Sequence, residues 1–383
     1  MTFENPVSWE PGSQMNDPTN SMPEIARGVP LIKVLGVGGG GSNAVSRMYQ
    51  DRLPVVEYWA LNTDTQHLHR CDVGHRIPLG QKLTGGQGAG GEPEVGRLAA
   101  EESHAEIQQA IKGSDMVFLA VSLGGGTGTG AAPVVAQIAK ESGALTVAVV
   151  SQPFSFEGAT RRKNAEEGIP RLKDHVDALI TIPNDRLLEL NHQKEQTFTW
   201  ENALKLADSV LHQGIQAIAE VVTVPGEINV DFADVKTILK GAGPAWLAMG
   251  NGKGETRAIE AAEMATRSPL LDIAVEGARR ILFVITGETN LTLQEVQDAA
   301  HVIEEMADPE ANIIFGTSRD PRLDDEVKIT MIAAAFPVLQ DTQQMREAEL
   351  QRLLQDVAPQ SDEELDVPTF LRRHSTGRRG FFQ

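Results

Sequence analysis

The chain has 383 residues, 41% hydrophobic and 23% charged, with a formal charge of −19 and a single cysteine, Cys71. Length and composition describe a globular chain large enough for two or three domains. The acidic balance argues against nonspecific binding to nucleic acid or an anionic membrane, and one cysteine allows no intramolecular disulfide, which suits a reducing compartment.

Residues 1–28, polar and rich in Pro, Asn and Ser, read as a flexible arm without the basic start and apolar run of an export signal. No segment reaches the apolar length of a membrane span, so a cytoplasmic protein is expected. Strands and helices then alternate: "LIKVLGV" as strand, "SNAVSRMYQ" as helix, "VEYWALNTD" as strand, "EVGRLAAEESHAEIQQAI" as one helix, "DMVFLAV" as strand and "APVVAQIAKES" as helix. "LTVAVVSQPF" and "ALITIPN" continue the strands. Uninterrupted Val/Ile/Leu runs between helical patterns predict a parallel sheet covered on both faces. Residues 201–222 form a long helix with an apolar stripe at Leu204, Ala207, Leu211, Ile215 and Ile218. A second set follows, with a helix at "FADVKTIL", strands at "RRILFVITG", "ANIIFGTS" and "VKITMIAAAF", and the helix "LTLQEVQDAAHVIEEMA" among them.

Three glycine loops carry the chemistry. "GVGGGGSNA" meets G-x-G-x-x-G at Gly36, Gly38 and Gly41, between a strand and a helix, with Asp64 near the end of the next strand. Alone, this is a dinucleotide fingerprint, and an NAD(P) oxidoreductase is the competing reading. A second turn, "SLGGGTGTG" at 122–130, is richer still, and Thr127 and Thr129 would add hydroxyl donors. A third, "TGGQGAGGEPEVG", lies between them, and no G-x-x-x-x-G-K-[ST] occurs anywhere. Loops at several strand ends of one sheet suit a longer phosphate chain, that of a nucleoside triphosphate.

"GGGTGTG", together with "NVDFADV" at 229–235, resembles FtsZ, the tubulin-like division GTPases, over about residues 31–336 and again at 365–373. The resemblance implies an α/β fold: a Rossmann-like parallel-sheet GTPase domain at 29–200, the central helix at 201–222 and a smaller α/β domain at 223–337. A linker at 338–363 and a partner-binding peptide with basic tail at 364–383 would follow. It places Gly39, Gly40, Gly41 and Ser42 against phosphate and Asn43 toward guanine, with Gly126, Thr127 and Gly128 from the signature loop. Ala89 and Gly90 would meet the γ-phosphate, Glu157 and Arg161 the ribose and nucleotide, and Asn184 and Asp208 the base. Taken singly, Asn184 could cap a helix, Glu157 and Arg161 could be a surface i,i+4 pair, and Asp208 could be solvated.

The resemblance further implies that GTP is hydrolysed to GDP across a head-to-tail contact, where Asp231 and Asp234 of the next subunit orient the attacking water and Asn229 places their loop. Mg²⁺ is expected with the phosphates, and no histidine spacing suggests a metal site. The expected partners are other copies of the chain in a filament at the division site, and membrane-tethering division proteins that dock on 365–373. Nucleic acid is not among them. Three departures stand out: Leu204 where relatives commonly carry an aromatic residue, a longer 189–202 segment, and Glu92 in the middle loop.

Overall fold

The computed structural model describes residues 30–335 except 54, 192–198, 224–229, 268–276, 289 and 321. The expectations for the arm, for Asn229, for most of the 189–202 segment, and for the linker and terminal peptide lie outside the described residues.

The first half follows the predicted alternation. β1 (Ile32–Val37), α1 (Gly38–Met48), β2 (Val56–Asn62), α2 (Thr65–Arg70) and β3 (His75–Pro78) lead to α3 (Gln81–Thr84), α4 (Pro93–Glu102) and α5 (His104–Ile111). Next come β4 (Met116–Ser122), α6 (Gly126–Glu141), β5 (Leu145–Gln152), a 3-10 turn at Ser155–Glu157, α7 (Ala159–Lys173), β6 (Ala178–Pro183) and α8 (Asn184–Asn191). The single helix predicted over 94–111 is two, parted at Ser103, whose hydroxyl accepts a bond from Gly80 N at 3.0 Å.

All pairings among β1 to β6 are parallel, in the order β3-β2-β1-β4-β5-β6. β1 and β4 are buried along most of their length, as strands covered on both faces must be. One apolar cluster lies on each face: α1 and α9 (Trp200–Thr223) pack on one, α4, α5 and α6 on the other. Lys33, buried in β1, is held by Ala110 O at 2.7 Å and Glu57 at 3.4 Å.

α9 extends about 36 Å at 1.5 Å per residue. Its stripe is buried at Ala207, Leu211, Ile215 and Ile218 but not at Leu204, which is 37% exposed. Beyond it stand α10 (Phe232–Leu239), β7 (Gly243–Lys253), α11 (Arg257–Thr266), β8 (Arg280–Gly287), α12 (Leu293–Met306), β9 (Asn312–Arg319) and β10 (Glu326–Ala334). These strands extend the same sheet in the order β7-β10-β8-β9, joined where Ala178 to Ile180 pair with Gly243 to Ala245. β7 escapes sequence reading because its glycines and Pro244 look like loop. Gly250 and Gly252 are there because α11 lies on the strand: an added Cβ would come 2.0 Å from Ala261 O and 1.9 Å from Arg257 O.

The same close contact explains most of the signature glycines. A Cβ at Gly130 would sit 1.8 Å from Pro93 O, one at Gly126 2.8 Å from Glu92 N, and one at Gly128 2.6 Å from Ser122 O. From the other side, a Cβ at Gly96 would come 2.3 Å from Gly126 O. α4 and α6 therefore meet backbone to backbone. Overpacking a fitted core costs about 1–3 kcal/mol, so Gly130→Ala is expected to lower the unfolding free energy by at least that much, seen as a lower urea midpoint. Gly125→Ala, at φ −85° with nothing within 4 Å, is expected to leave the midpoint in place.

Candidate functional site

The strand order reverses between β1 and β4, and an open α/β sheet binds ligands outside the carboxyl ends of its strands at such a point. Two helices start there. α1 follows Val37 and α6 follows Gly125; neither has a side-chain cap, and neither first turn carries an acid. Their leading N–H groups and the positive ends of their dipoles converge on one cleft of about 280 Å³. Phosphate is what such a place binds.

Glycine falls into two kinds here. Gly38, at φ +75°, brings the loops together, since a Cβ there would come 2.7 Å from Gly128 N. Gly39 and Gly125 line the cleft, yet a Cβ on either would meet nothing within 4 Å. Neither packing nor backbone angle requires glycine at these two positions. The open space over them leaves main chain accessible to a ligand.

Gly40, Asn43, Gly126, Thr127 and Gly128 line the cleft as well. Gly41 and Ser42 do not. A Cβ on Gly41 would stand 2.1 Å from Ala120 O, and Ser42 is fully buried beneath the turn, so this pair seats α1 on β4. Thr129, expected as a hydroxyl donor, is buried outside the cleft lining, and its Oγ1 accepts from Gly124 N at 2.8 Å inside the loop. Thr127 Oγ1 stands 2.6 Å from Thr63 Oγ1. Asp64 caps α2 through His67 N at 2.9 Å, away from the cleft lining. Ala89 and Gly90 lie outside that lining, in a loop packed on the start of α6. The backbone N–H groups of Ala89, Gly90 and Gly91 have no acceptor among the described residues.

At the other end of the cleft stand Asn184, Asp208, Leu204, Glu157 and Arg161. Asn184 is 5% exposed, and its Oδ1 has no hydrogen-bond partner among the described residues, so it does not cap α8. A buried, unpaired acceptor costs roughly 1–3 kcal/mol unless a ligand donor meets it. Asp208 is 8% exposed rather than solvated, and its only described ion-pair partner is Arg47 at 3.2 Å. Burial pushes its carboxyl from the usual 3.8 to about 6, with Arg47 offsetting part of the shift. Glu157 pairs with Arg161, four residues on, and accepts from Phe154 N at 2.9 Å. One edge of this pocket thus offers two acceptors, Asn184 and Asp208, to a flat ring bearing N–H donors. Leu204 offers the ring an aliphatic surface.

Asp231 and Asp234 stand elsewhere, exposed at the start of α10. Asp231 is the N-cap by position, but its side chain makes no cap bond. The other end of α10 is tied near the amino end of β6, where Asp177 O accepts from Gly243 N at 2.9 Å. The cleft opens at the carboxyl ends.

Sequence reasoning missed Ser122 and Ser151, which end β4 and β5 in the cleft with their hydroxyls 2.9 Å apart, and Gln152 and Pro153 beside them. A polar residue closing a fully apolar strand was the available signal. A roomier cavity of about 490 Å³ lies between α9 and β8 to β10, lined by charged groups including Glu220, Arg322 and Lys328. It has no glycine loop and no helix start. The smaller cleft is therefore the candidate site.

Comparison with known proteins gives the family. The GTPase-domain model of the Tubulin/FtsZ family matches residues 31–192, and the C-terminal-domain model of the FtsZ family matches 243–337. Among solved structures, an empty FtsZ dimer from M. jannaschii is 44% identical, over 80% of this chain and 88% of that one, with a TM-score of 0.76. A mutant of FtsZ from the same organism is also 44% identical, over 80% and 92%, at 0.77. GDP-bound CetZ1 from Haloferax volcanii, 21% identical over 84% and 99% at 0.70, shares the fold.

Asp208 yields a pH-dependent expectation. Its folded pKa lies above the ordinary value, so the folded state binds this proton more tightly and ionisation costs stability as pH rises from about 4 to about 6. Asp208→Asn is expected to flatten that part of the melting-temperature profile of the nucleotide-free protein. In the wild-type chain, guanine-nucleotide affinity is expected to fall as pH drops below about 6, read by fluorescence titration.

Proposed function

This chain belongs to the tubulin/FtsZ family and carries its GTPase domain, and on that premise we propose that it is a GTP-driven, self-assembling filament of the division apparatus. GTP lies with its phosphates across Gly39, Gly40, Gly126, Thr127 and Gly128. Its guanine N1–H and N2–H₂ face Asp208, a pairing that adenine cannot offer. Asn184 accepts a further base donor, Asn43 assists, and Glu157 and Arg161 approach the ribose. The free N–H groups of Ala89 and Gly90 close over the γ-phosphate. Mg²⁺ would accompany the phosphates and offset their charge; among the described residues there is no group of three or more His, Cys, Asp or Glu fit for a metal.

One observation carries the intersubunit mechanism. The acids lining the cleft are Glu157 and Asp208, and both are engaged at its base and ribose end by Arg161 and Arg47. Among the described lining residues the phosphate end has donors but no carboxylate to orient water, and Glu92 in the middle loop is exposed outside that lining. Asp231 and Asp234 are exposed and have no ion pair among the described residues. Hydrolysis needs a group of this kind at the γ-phosphate. A head-to-tail contact that sets one subunit's α10 start over the next subunit's cleft supplies it, and such a heterologous contact repeats without closing. Self-association accords with the dimeric FtsZ among the similar structures. Asn229 would place the loop. Residues 365–373 would bind the membrane tether, with 29–200, 201–222 and 223–337 acting as nucleotide domain, central helix and assembly domain. Among the described residues no helix is long and apolar enough to cross a membrane. A cytoplasmic filament held to the membrane through another protein accords with that.

GTP turnover per subunit is expected to be near zero in dilute protein and to rise with the sedimenting fraction. Asp231→Ala or Asp234→Ala is expected to lower the plateau by about 10²–10⁴-fold while leaving nucleotide affinity intact. A specific activity that stays constant on dilution would mean a self-contained site.

A further inference from the structure

Of the three residues that supply the free N–H groups of the middle loop, Ala89 is buried against the start of α6, whereas Gly90 and Gly91 have little packing of their own. Gly90 and Gly91 take φ of +59° and +84°, and a Cβ on either would meet nothing within 4 Å. Gly88 N is fixed to Thr63 O at 3.2 Å, and Glu92 N bonds back to Ala89 O at 3.0 Å. Between those points, one hydrogen bond among the described residues joins the loop to another element: Asn164 Nδ2 donates to Gly91 O at 3.2 Å. The same Nδ2 donates to Gly124 O in the signature loop, also at 3.2 Å. The orientation of the amide follows, since the flipped form would set an oxygen against two carbonyls.

Asn164 stands on a fixed platform. A turn earlier on α7, Arg161 O lies 2.9 Å from where a Cβ on Gly124 would be, and a turn later Gly168 packs on Thr129. This face of α7 is therefore seated along the signature loop and α6. An amide at its centre, with one hydrogen for each loop, joins the sparsely packed loop to the seated one.

We propose that Asn164 is a positioning residue that ties the 88–92 loop to the signature loop and so sets the preference of the cleft for a nucleoside triphosphate over the diphosphate. The proposal rests on the reading that Ala89 and Gly90 meet the γ-phosphate. A diphosphate does not reach the loop, so its binding is indifferent to the tie. For a triphosphate, an untied loop must be ordered at the moment of binding, at the cost of affinity.

The test measures GDP and a slowly hydrolysed GTP analogue on the same full-length proteins. Asn164→Ala is expected to weaken the analogue about five- to tenfold, the worth of roughly one hydrogen bond, with GDP affinity and the melting temperature unchanged. Asn164→Asp is expected to be worse than Ala, since it turns an acceptor toward two carbonyls. In the nucleotide-free Ala variant, amide exchange at residues 88–92 is expected to quicken while the core strands stay protected. Equal losses for both nucleotides, no loss at all, or unaltered loop exchange would overturn the tie. A wild-type chain that prefers the analogue while the variants behave alike would overturn the tie yet leave the cleft assignment standing. A wild-type chain that binds neither nucleotide overturns the assignment and, with it, the tie.

Discussion

Main chain lying directly on main chain is the constraint on which the nucleotide cleft depends. α4 and α6 approach so closely that side chains are excluded at Gly96, Gly126 and Gly130, and β1 and β4 turn into their helices through Gly38, Gly41 and Gly128. Any Cβ at these points would have to displace a backbone carbonyl or amide. The result is a rigid rim from which two uncapped helices aim their amide groups at one space. Glycine is usually thought of as a source of flexibility. Here most of it serves fixity, and of the glycines lining the cleft Gly39 and Gly125 are left bare.

The two ends of the cleft solve different electrostatic problems. At the phosphate end the protein presents dipoles and N–H groups, which need no counter-charge to be buried with them. At the end proposed for the base it buries a carboxylate, raised to about 6 and steadied by Arg47, beside an amide oxygen that none of the described residues satisfies. Both base-end groups are uncomfortable in the empty protein and comfortable when a purine edge supplies donors. On the proposed reading, selectivity for guanine is stored as strain in the free state. With Leu204 rather than an aromatic ring at that end of the cleft, polar matching would carry more of the discrimination than stacking.

Much of this was legible in residue order because periodicity and glycine placement are local signals. Parallel strands announced themselves as unbroken Val/Ile/Leu runs, and the loops as glycine clusters between strand and helix. What was hidden is relational. Nothing in "GGGTGTG" says which glycines face another helix and which face a ligand; that depends on Pro93 and Glu92, some thirty residues earlier. Leu204 fits the apolar stripe of its helix, and the periodicity alone does not show that the stripe there meets a cleft instead of a sheet. β7 was concealed by Gly250 and Gly252, whose purpose is the helix laid across them. Asp208 and Asn184 looked like common surface or capping residues until burial and a missing partner distinguished them.

The parallel run β1 to β6 is complete by Pro183, whereas two of the residues proposed to read the base come later, Asn184 at the start of α8 and Asp208 on α9. On a ribosome, therefore, the strands and phosphate loops emerge first. On the proposed reading, a nascent chain stopped near residue 183 would carry an anion-binding rim and Asn43 but lack the pair of acceptors for guanine. Selectivity for GTP would arrive only with α9, when Asp208 can meet Arg47.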